Sequence, residues 1–76
     1  MEGILMTVRI EYMTCNKQGT VLTNWMTTEG SVQNDAQVYI PRAYAVAERF
    51  SQPMTGLRAR IRVVDEQTGR IVDMIS

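Results

Sequence analysis

The stretch Leu57-Arg58-Ala59-Arg60-Ile61-Arg62-Val63 decides the fold, because apolar residues alternate strictly with arginine along it. Successive side chains of a β-strand point to opposite faces, so this pattern predicts a strand with one apolar and one cationic face. The polar link Glu66-Gln67-Thr68-Gly69 follows, and residues 70–75 then form a predicted return strand. The C-terminal third is therefore predicted to be a β-hairpin.

The N-terminal third has the same organisation. A period-two pattern over residues 6–15 predicts a half-buried strand. One face of this strand is made by Val8, Ile10 and Tyr12, and the other by Thr7, Arg9, Glu11 and Met13. The link Asn16-Lys17-Gln18-Gly19 predicts a type I turn closed by a glycine bulge. A second strand is predicted over residues 20–28, which Glu29-Gly30-Ser31 would end.

The middle of the chain contains a helical pattern that includes a proline. An apolar stripe at spacings of four and three residues is formed by Ala36, Ile40, Ala43, Ala47 and Phe50. Pro41 opposes a continuous helix, because an interior proline costs about 3 kcal/mol or more. We therefore predict a shorter helix over residues 41–51, with Pro41 in its first turn and residues 37–40 extended. Pro53 and Gly56 would stop it.

Two hairpins and one helix give the order β-β-α-β-β. One amphipathic helix can cover one face of a four-stranded antiparallel sheet, so a two-layer α+β fold is predicted. The 76 residues, without any linker or low-complexity tract, are expected to form one small domain over residues 1–76. The sheet face opposite the helix is expected to remain largely exposed.

The composition excludes several classes of function. The chain has eight basic and eight acidic residues, so a strongly basic nucleic-acid module is not the default. Histidine is absent and Cys15 is the single cysteine, which leaves no Cys/His metal site and no imidazole base. Cys15 is expected to be a small buried residue at a strand end. We predict that the protein is not an enzyme and needs no cofactor.

The sequence also bears on the compartment. No apolar run approaches the roughly 20 residues of a membrane helix. Residues 1–6 lack the basic and apolar regions of a signal peptide. A single thiol fits a reducing compartment, so the expected location is the cytoplasm and no membrane association is expected.

The arginines are the candidate binding residues. Arg58, Arg60 and Arg62 would line one strand face about 7 Å apart. Residues 1–38 carry a net charge of −2 and residues 39–76 one of +2, so the neutral total hides a dipole. In the alternative interpretation the arginines form an ordinary solvated face. Cross-strand ion pairs would then join two of Asp65, Glu66 and Asp73 to Arg62 and Arg70.

Trp25 completes the candidate set, which comprises Arg58, Arg60, Arg62, Arg9 and Trp25. We place Trp25 in the core in preference to the surface. If it were exposed beside Met13 or Met26, it would form an interaction hot spot.

These observations together predict a small non-catalytic module that binds a protein with an acidic surface, acting as an accessory, regulatory or inhibitor protein. It would use an exposed sheet face or an edge strand. Phage and mobile-element proteins that block a host complex have this profile, which is an analogy alone. An unpaired sheet edge would also allow a homodimer. The alternative function is nucleic-acid binding through the arginine-lined strand.

Overall fold

The computed structural model describes residues 6–75, so the prediction for the first five residues lies outside its described range. The elements are β1 (Thr7–Cys15), β2 (Val21–Gln33), α1 (Ala36–Phe50), a 3₁₀ turn (Pro53–Thr55), β3 (Arg58–Asp65) and β4 (Ile71–Ile75). The strands form one antiparallel sheet in the order β2-β1-β3-β4, with α1 packed on one face. The predicted two-layer α+β fold, β-β-α-β-β, is confirmed.

The core lies between α1 and the two central strands. Val8 and Ile10 from β1 and Ile61 and Val63 from β3 are fully buried there, which confirms the predicted apolar faces of both strands. The helix contributes Tyr39, Ala43 and Val46. The ring of Tyr12 stacks on that of Phe50 with centroids 4.0 Å apart, so an aromatic pair closes one end of the core.

Both hairpin links contain glycine where the backbone needs it. Gly19 has a φ of 87° and its N–H donates to the carbonyl of Asn16, while Gly69 has a φ of 75° and donates to the carbonyl of Asp65. Residues with a side chain adopt this left-handed region only at a cost, so the glycines define where the chain reverses. The two predicted hairpins are confirmed.

Strand β2 is longer than predicted. It has 13 residues against 9 in β1, and the pairing of the two strands contains four register shifts, one for each additional residue. The prediction ended the strand at residues 29–31, but pairing resumes at Val32 beyond the bulge at Gly30 and Ser31. A bulge absorbs one extra residue and bends the strand. This makes β2 an irregular edge strand, which resists pairing with another chain.

The helix begins earlier than predicted, and the prediction that Pro41 lies in its first turn is wrong. Helix α1 starts at Ala36, with the side chain of Asp35 accepting a hydrogen bond from the N–H of Gln37. Pro41 lies in the second turn, where it removes one backbone hydrogen bond. Helical geometry before Pro41 buries Tyr39 and half-buries two apolar neighbours, which offsets that loss. Within residues 6–75, no helix has both the length and the apolar character needed to cross a membrane.

Candidate functional site on the open face of the sheet

The open face is the side of the sheet that α1 does not cover. On β3 it carries Arg58, Arg60 and Arg62, which lie directly opposite Cys15, Met13 and Glu11 of β1. Residues directly opposite in an antiparallel pair share a face. The three arginines predicted to share a strand face therefore do so, together with the alternate residues of β1. On the outer side, Arg62 lies opposite Met74 of β4.

A charged cluster, formed by Arg9, Glu11, Arg62 and Trp25, occupies the middle of this face. Glu11 is only 6% exposed. One carboxylate oxygen accepts a hydrogen bond from Arg9 Nε and the other from Arg62 Nε, each over 2.6 Å. The hydroxyl of Thr27 lies 3.4 Å from the oxygen that Arg9 contacts. Glu11 thereby ties β1 to β2 and β3.

The two arginines hold Glu11 in its ionised form. Burial acts to raise the pKa of the Glu11 carboxyl, but hydrogen bonds from Arg9 and Arg62 and their positive charges act against it, and the net result is a lowered pKa. A buried carboxylate with two charged donors is a structural ion cluster. A general acid would need a raised pKa, so the lowered pKa favours the structural role.

Trp25 lies on the open face, so its predicted preference for the core is wrong. Between the pairs Tyr12–Met26 and Thr14–Thr23, two residues of β2 face Met13 alone. This bulge directs the indole to the side away from α1. The guanidinium carbon of Arg62 lies 4.3 Å from the centre of the Trp25 ring, a cation–π contact. Trp25 is half-buried beneath that arginine.

The predicted ion pairs of the second hairpin are also wrong. Ion pairs were predicted between two of Asp65, Glu66 and Asp73 and the arginines Arg62 and Arg70. Arg62 instead pairs with Glu11 of β1. Asp65 is buried and accepts from the N–H groups of Gln67 and Thr68. The Asp65 carboxylate thus accepts hydrogen bonds from backbone N–H groups that the turn would otherwise leave without a partner.

The other two carboxylates are used in the same local way. Glu66 accepts from the N–H of Ser31 over 2.9 Å and so joins the second hairpin to β2. Asp73 accepts from the N–H of Met74. Burial, followed by the charge of Asp73 and its hydrogen bond with Tyr39, raises the pKa of Tyr39 on the helix side. Asp73 is therefore directed towards α1, away from the arginines.

Arg58, Arg60 and Arg62 together form the arginine stripe of β3. Arg58 and Arg60 are the part of this stripe without a partner in the described chain. Both are exposed, and within residues 6–75 neither has an ion-pair or hydrogen-bonding partner. Met74, on the neighbouring strand, is 55% exposed. The stripe thus divides into Arg62, which is committed to the charged cluster, and two arginines whose donors are available.

The open face is less exposed than predicted. Glu11, Met13 and Cys15 are all buried there, because β1 is a central strand and long side chains from its neighbours can lie over it. Cys15 is 2% exposed and free, which confirms the predicted buried residue at a strand end. In the part of the chain that the structure describes, no three acidic or cysteine residues are grouped closely enough to hold a metal ion.

Glu11 is the residue that the sequence interpretation missed. It was assigned only to the polar face of β1, although an acidic residue at the centre of an otherwise cationic sheet face is a signal of an internal ion pair. The strand order would have been needed to pair it with Arg62, because 50 residues separate them along the chain.

Comparison of the chain with protein-family models, with curated proteins and with solved structures finds no match.

Proposed function

We propose that this protein is a small non-catalytic binding module that regulates or inhibits a larger protein through the open face of its sheet. The observation that carries the proposal is the unequal use of the arginine stripe. Arg62, opposite the exposed Met74, is held by the charged cluster, whereas Arg58 and Arg60 further along the same strand face present unused guanidinium groups. Arginine and methionine beside a tryptophan are residue types enriched at protein interfaces.

The charge of this surface favours an acidic partner. Two free guanidinium groups can each bind a carboxylate through two parallel hydrogen bonds. The neighbouring Arg62 and Trp25 are already fixed by their mutual contact and by Glu11, so ordering them on binding costs little entropy. An acidic protein surface that crosses β3 and β4 would meet both the cations and the apolar side chain of Met74.

Nucleic-acid binding is the weaker alternative. Arg62 covers one face of Trp25, so that face is not free to stack on a base. Glu11 cancels one of the two positive charges of Arg9 and Arg62, which reduces the positive field that a phosphate backbone requires.

Affinity capture with matched variants tests the proposal. The tagged protein and its Arg58→Ala/Arg60→Ala variant are incubated with a lysate of the cells that encode it, and bound proteins are identified by mass spectrometry. We expect one acidic protein in stoichiometric amount, lost with the double variant. Binding of the purified pair should weaken about tenfold or more on substitution and weaken further with added salt.

Arg49→Ala/Arg70→Ala is the control, since it removes the same charge from exposed positions in α1 and in the link before β4. This variant should retain the partner, and circular dichroism should show all three proteins folded. Equal capture by both double variants would show that the stripe is solvated surface. Retention on immobilised RNA or DNA at physiological salt, lost only with Arg58 and Arg60, would favour the alternative function.

Two further parts of the proposal concern the assembly and the compartment. Strand β4 is a sheet edge that exposes Ile71, Val72 and Met74, so a second copy could pair with it. We propose a cytoplasmic location, supported by the free thiol of Cys15. Light scattering across a hundredfold range of concentration tests the first part, and fractionation of the native cells tests the second.

A further inference from the structure

A depression lies at the end of the sheet where the first hairpin turns. Its volume is about 380 Å³, within the usual range for small-ligand sites. Three of its lining residues are cationic and none is acidic. The lining is formed by Cys15, Asn16, Lys17, Gln18, Gly19, Arg58, Ala59 and Arg60. In a chain with equal numbers of acidic and basic residues, this concentration of cations is a local departure from neutrality.

The walls of the depression are held in place. Asn16 Oδ1 accepts hydrogen bonds from the N–H groups of Gln18 and Thr20, over 3.0 and 2.9 Å, which fixes the turn. The stem of Lys17 packs on the backbone of Gly56, where an added Cβ would lie 2.9 Å from the Lys17 Cβ. Lys17 is the only lysine of the chain, and its stem is anchored at the rim of the depression.

The two arginines enter from β3. They lie opposite Cys15 and Met13, two residues apart on one strand face and therefore about 7 Å from each other. Neither is neutralised within residues 6–75. Two planar donors and one ammonium group thus surround a space large enough for a tetrahedral anion and the first atoms of the group that carries it.

From this geometry we infer that the depression formed by Lys17, Arg58 and Arg60 is a subsite for a phosphate monoester. Three positive charges match a phosphate dianion better than a singly charged carboxylate. The guanidinium groups would bind two phosphate oxygens each in the bidentate manner, and the lysine would add a point charge. A phosphorylated protein and a mononucleotide both present this group, and the chemistry of recognition is the same for both.

The subsite does not rest on the proposed function, although the two share Arg58 and Arg60. Lys17 belongs to the subsite alone, and Met74 to the proposed interface alone. Lys17→Gln should therefore weaken phosphate binding and leave an interface with an unphosphorylated protein intact, whereas Met74→Lys should do the reverse. Failure of one proposal is in this way separable from failure of the other.

Titration followed by two-dimensional NMR of the ¹⁵N-labelled protein tests the subsite. The probes are inorganic phosphate, a phosphoserine peptide, adenosine monophosphate and acetate, all at one constant ionic strength. We expect saturable shifts with the phosphate probes, confined to the first hairpin and the start of β3. The peptide and the nucleotide are compared with free phosphate, and the tighter of the two identifies the natural source.

The variants Lys17→Gln and Arg60→Gln should each weaken phosphate binding by about fivefold or more. Arg70→Gln, which removes an exposed arginine of the other hairpin, should change it less than about twofold. The dispersed spectrum of each variant reports that it is folded. Shifts that do not saturate, that are equal with acetate, or that Arg70→Gln reduces as much as Arg60→Gln would overturn the assignment.

Discussion

Replacement of Glu11 by glutamine tests the charged cluster, because it removes the negative charge while keeping the size and one carbonyl oxygen of the side chain. At neutral pH the two 2.6 Å bonds from Arg9 and Arg62 lose their charged acceptor. A hydrogen bond to a charged group contributes about 1.5–3 kcal/mol. Breaking a fully buried pair costs about 3–5 kcal/mol, which is an upper limit here.

The solvent exposure of the arginines places the expected value below that limit. The side chains of Arg9 and Arg62 are 33% and 27% exposed, so water can hydrate their freed donors in part. We expect Glu11→Gln to lower the free energy of unfolding by about 2–3 kcal/mol, after the weaker bonds of the amide are counted. In a chain of this length, that loss lowers Tm by roughly 10–20 °C.

The effect should depend on pH with a defined sign. The pKa of Glu11 is lowered in the folded protein, so the stability it contributes is fully present above its ordinary value of 4.5. That contribution is lost as the pH falls through the folded-state pKa. The difference between the wild type and Glu11→Gln should therefore shrink steadily below pH 4.5.

Urea unfolding followed by circular dichroism, repeated at several pH values, measures both effects. Glu48→Gln is the matched control, because Glu48 is an exposed helix residue, and it should change stability by less than about 0.5 kcal/mol. A loss below about 0.5 kcal/mol for Glu11→Gln at neutral pH would refute the reasoning. So would a larger loss that persists unchanged in acid, since it would then not come from the charge.

Three other experiments test the packing and the backbone. Pro41→Ala should raise the free energy of unfolding, measured in urea, by about 1–2 kcal/mol. The helix hydrogen bond regained by alanine outweighs the greater conformational entropy of the unfolded chain without proline. A loss of stability would contradict this. Gly56→Ala should destabilise the protein by about 1 kcal/mol more than Gly19→Ala. Both glycines have a positive φ, but only at Gly56 would an added Cβ clash, with the stem of Lys17. Equal losses for the two variants would show that this clash does not occur. A double-mutant cycle with Tyr12→Leu and Phe50→Leu should give a coupling of about 0.5–1.5 kcal/mol, and strictly additive losses would show that the stacked rings do not interact.

The regular strands were predictable because their patterning is local. The alternation in β1 and β3 specified which face packs on the helix, and the glycines of both links specified where the chain reverses. The start of α1 was not predictable in the same way. Its first turn is helical because the burial of Tyr39 and its neighbours outweighs the cost of Pro41, and that balance exists only once the sheet is present.

Strand β2 shows why the face of Trp25 could not be predicted. A period-two pattern assigns a side chain to a face only while the register is constant, and each bulge reverses the assignment. Pairing with β1 shifts four times along β2. Composition gave no indication of where the extra residues lie, so the position of the indole depended on the partner strand.

The division of the arginine stripe has the same origin and bears directly on function. Along the sequence Arg58, Arg60 and Arg62 are equivalent, and only the register with β1 distinguishes them. This register places Glu11 opposite Arg62, whereas the apolar Met13 and Cys15 lie opposite Arg60 and Arg58. A buried carboxylate at Glu11 therefore has two consequences. It joins β1 to β3 through Arg62 and to β2 through Thr27, and it leaves the other two arginines of β3, at the end nearest Lys17, without an ion-pair partner among the described residues. The neutral total of the chain thus coexists with one local cationic site, whose position is determined by strand register.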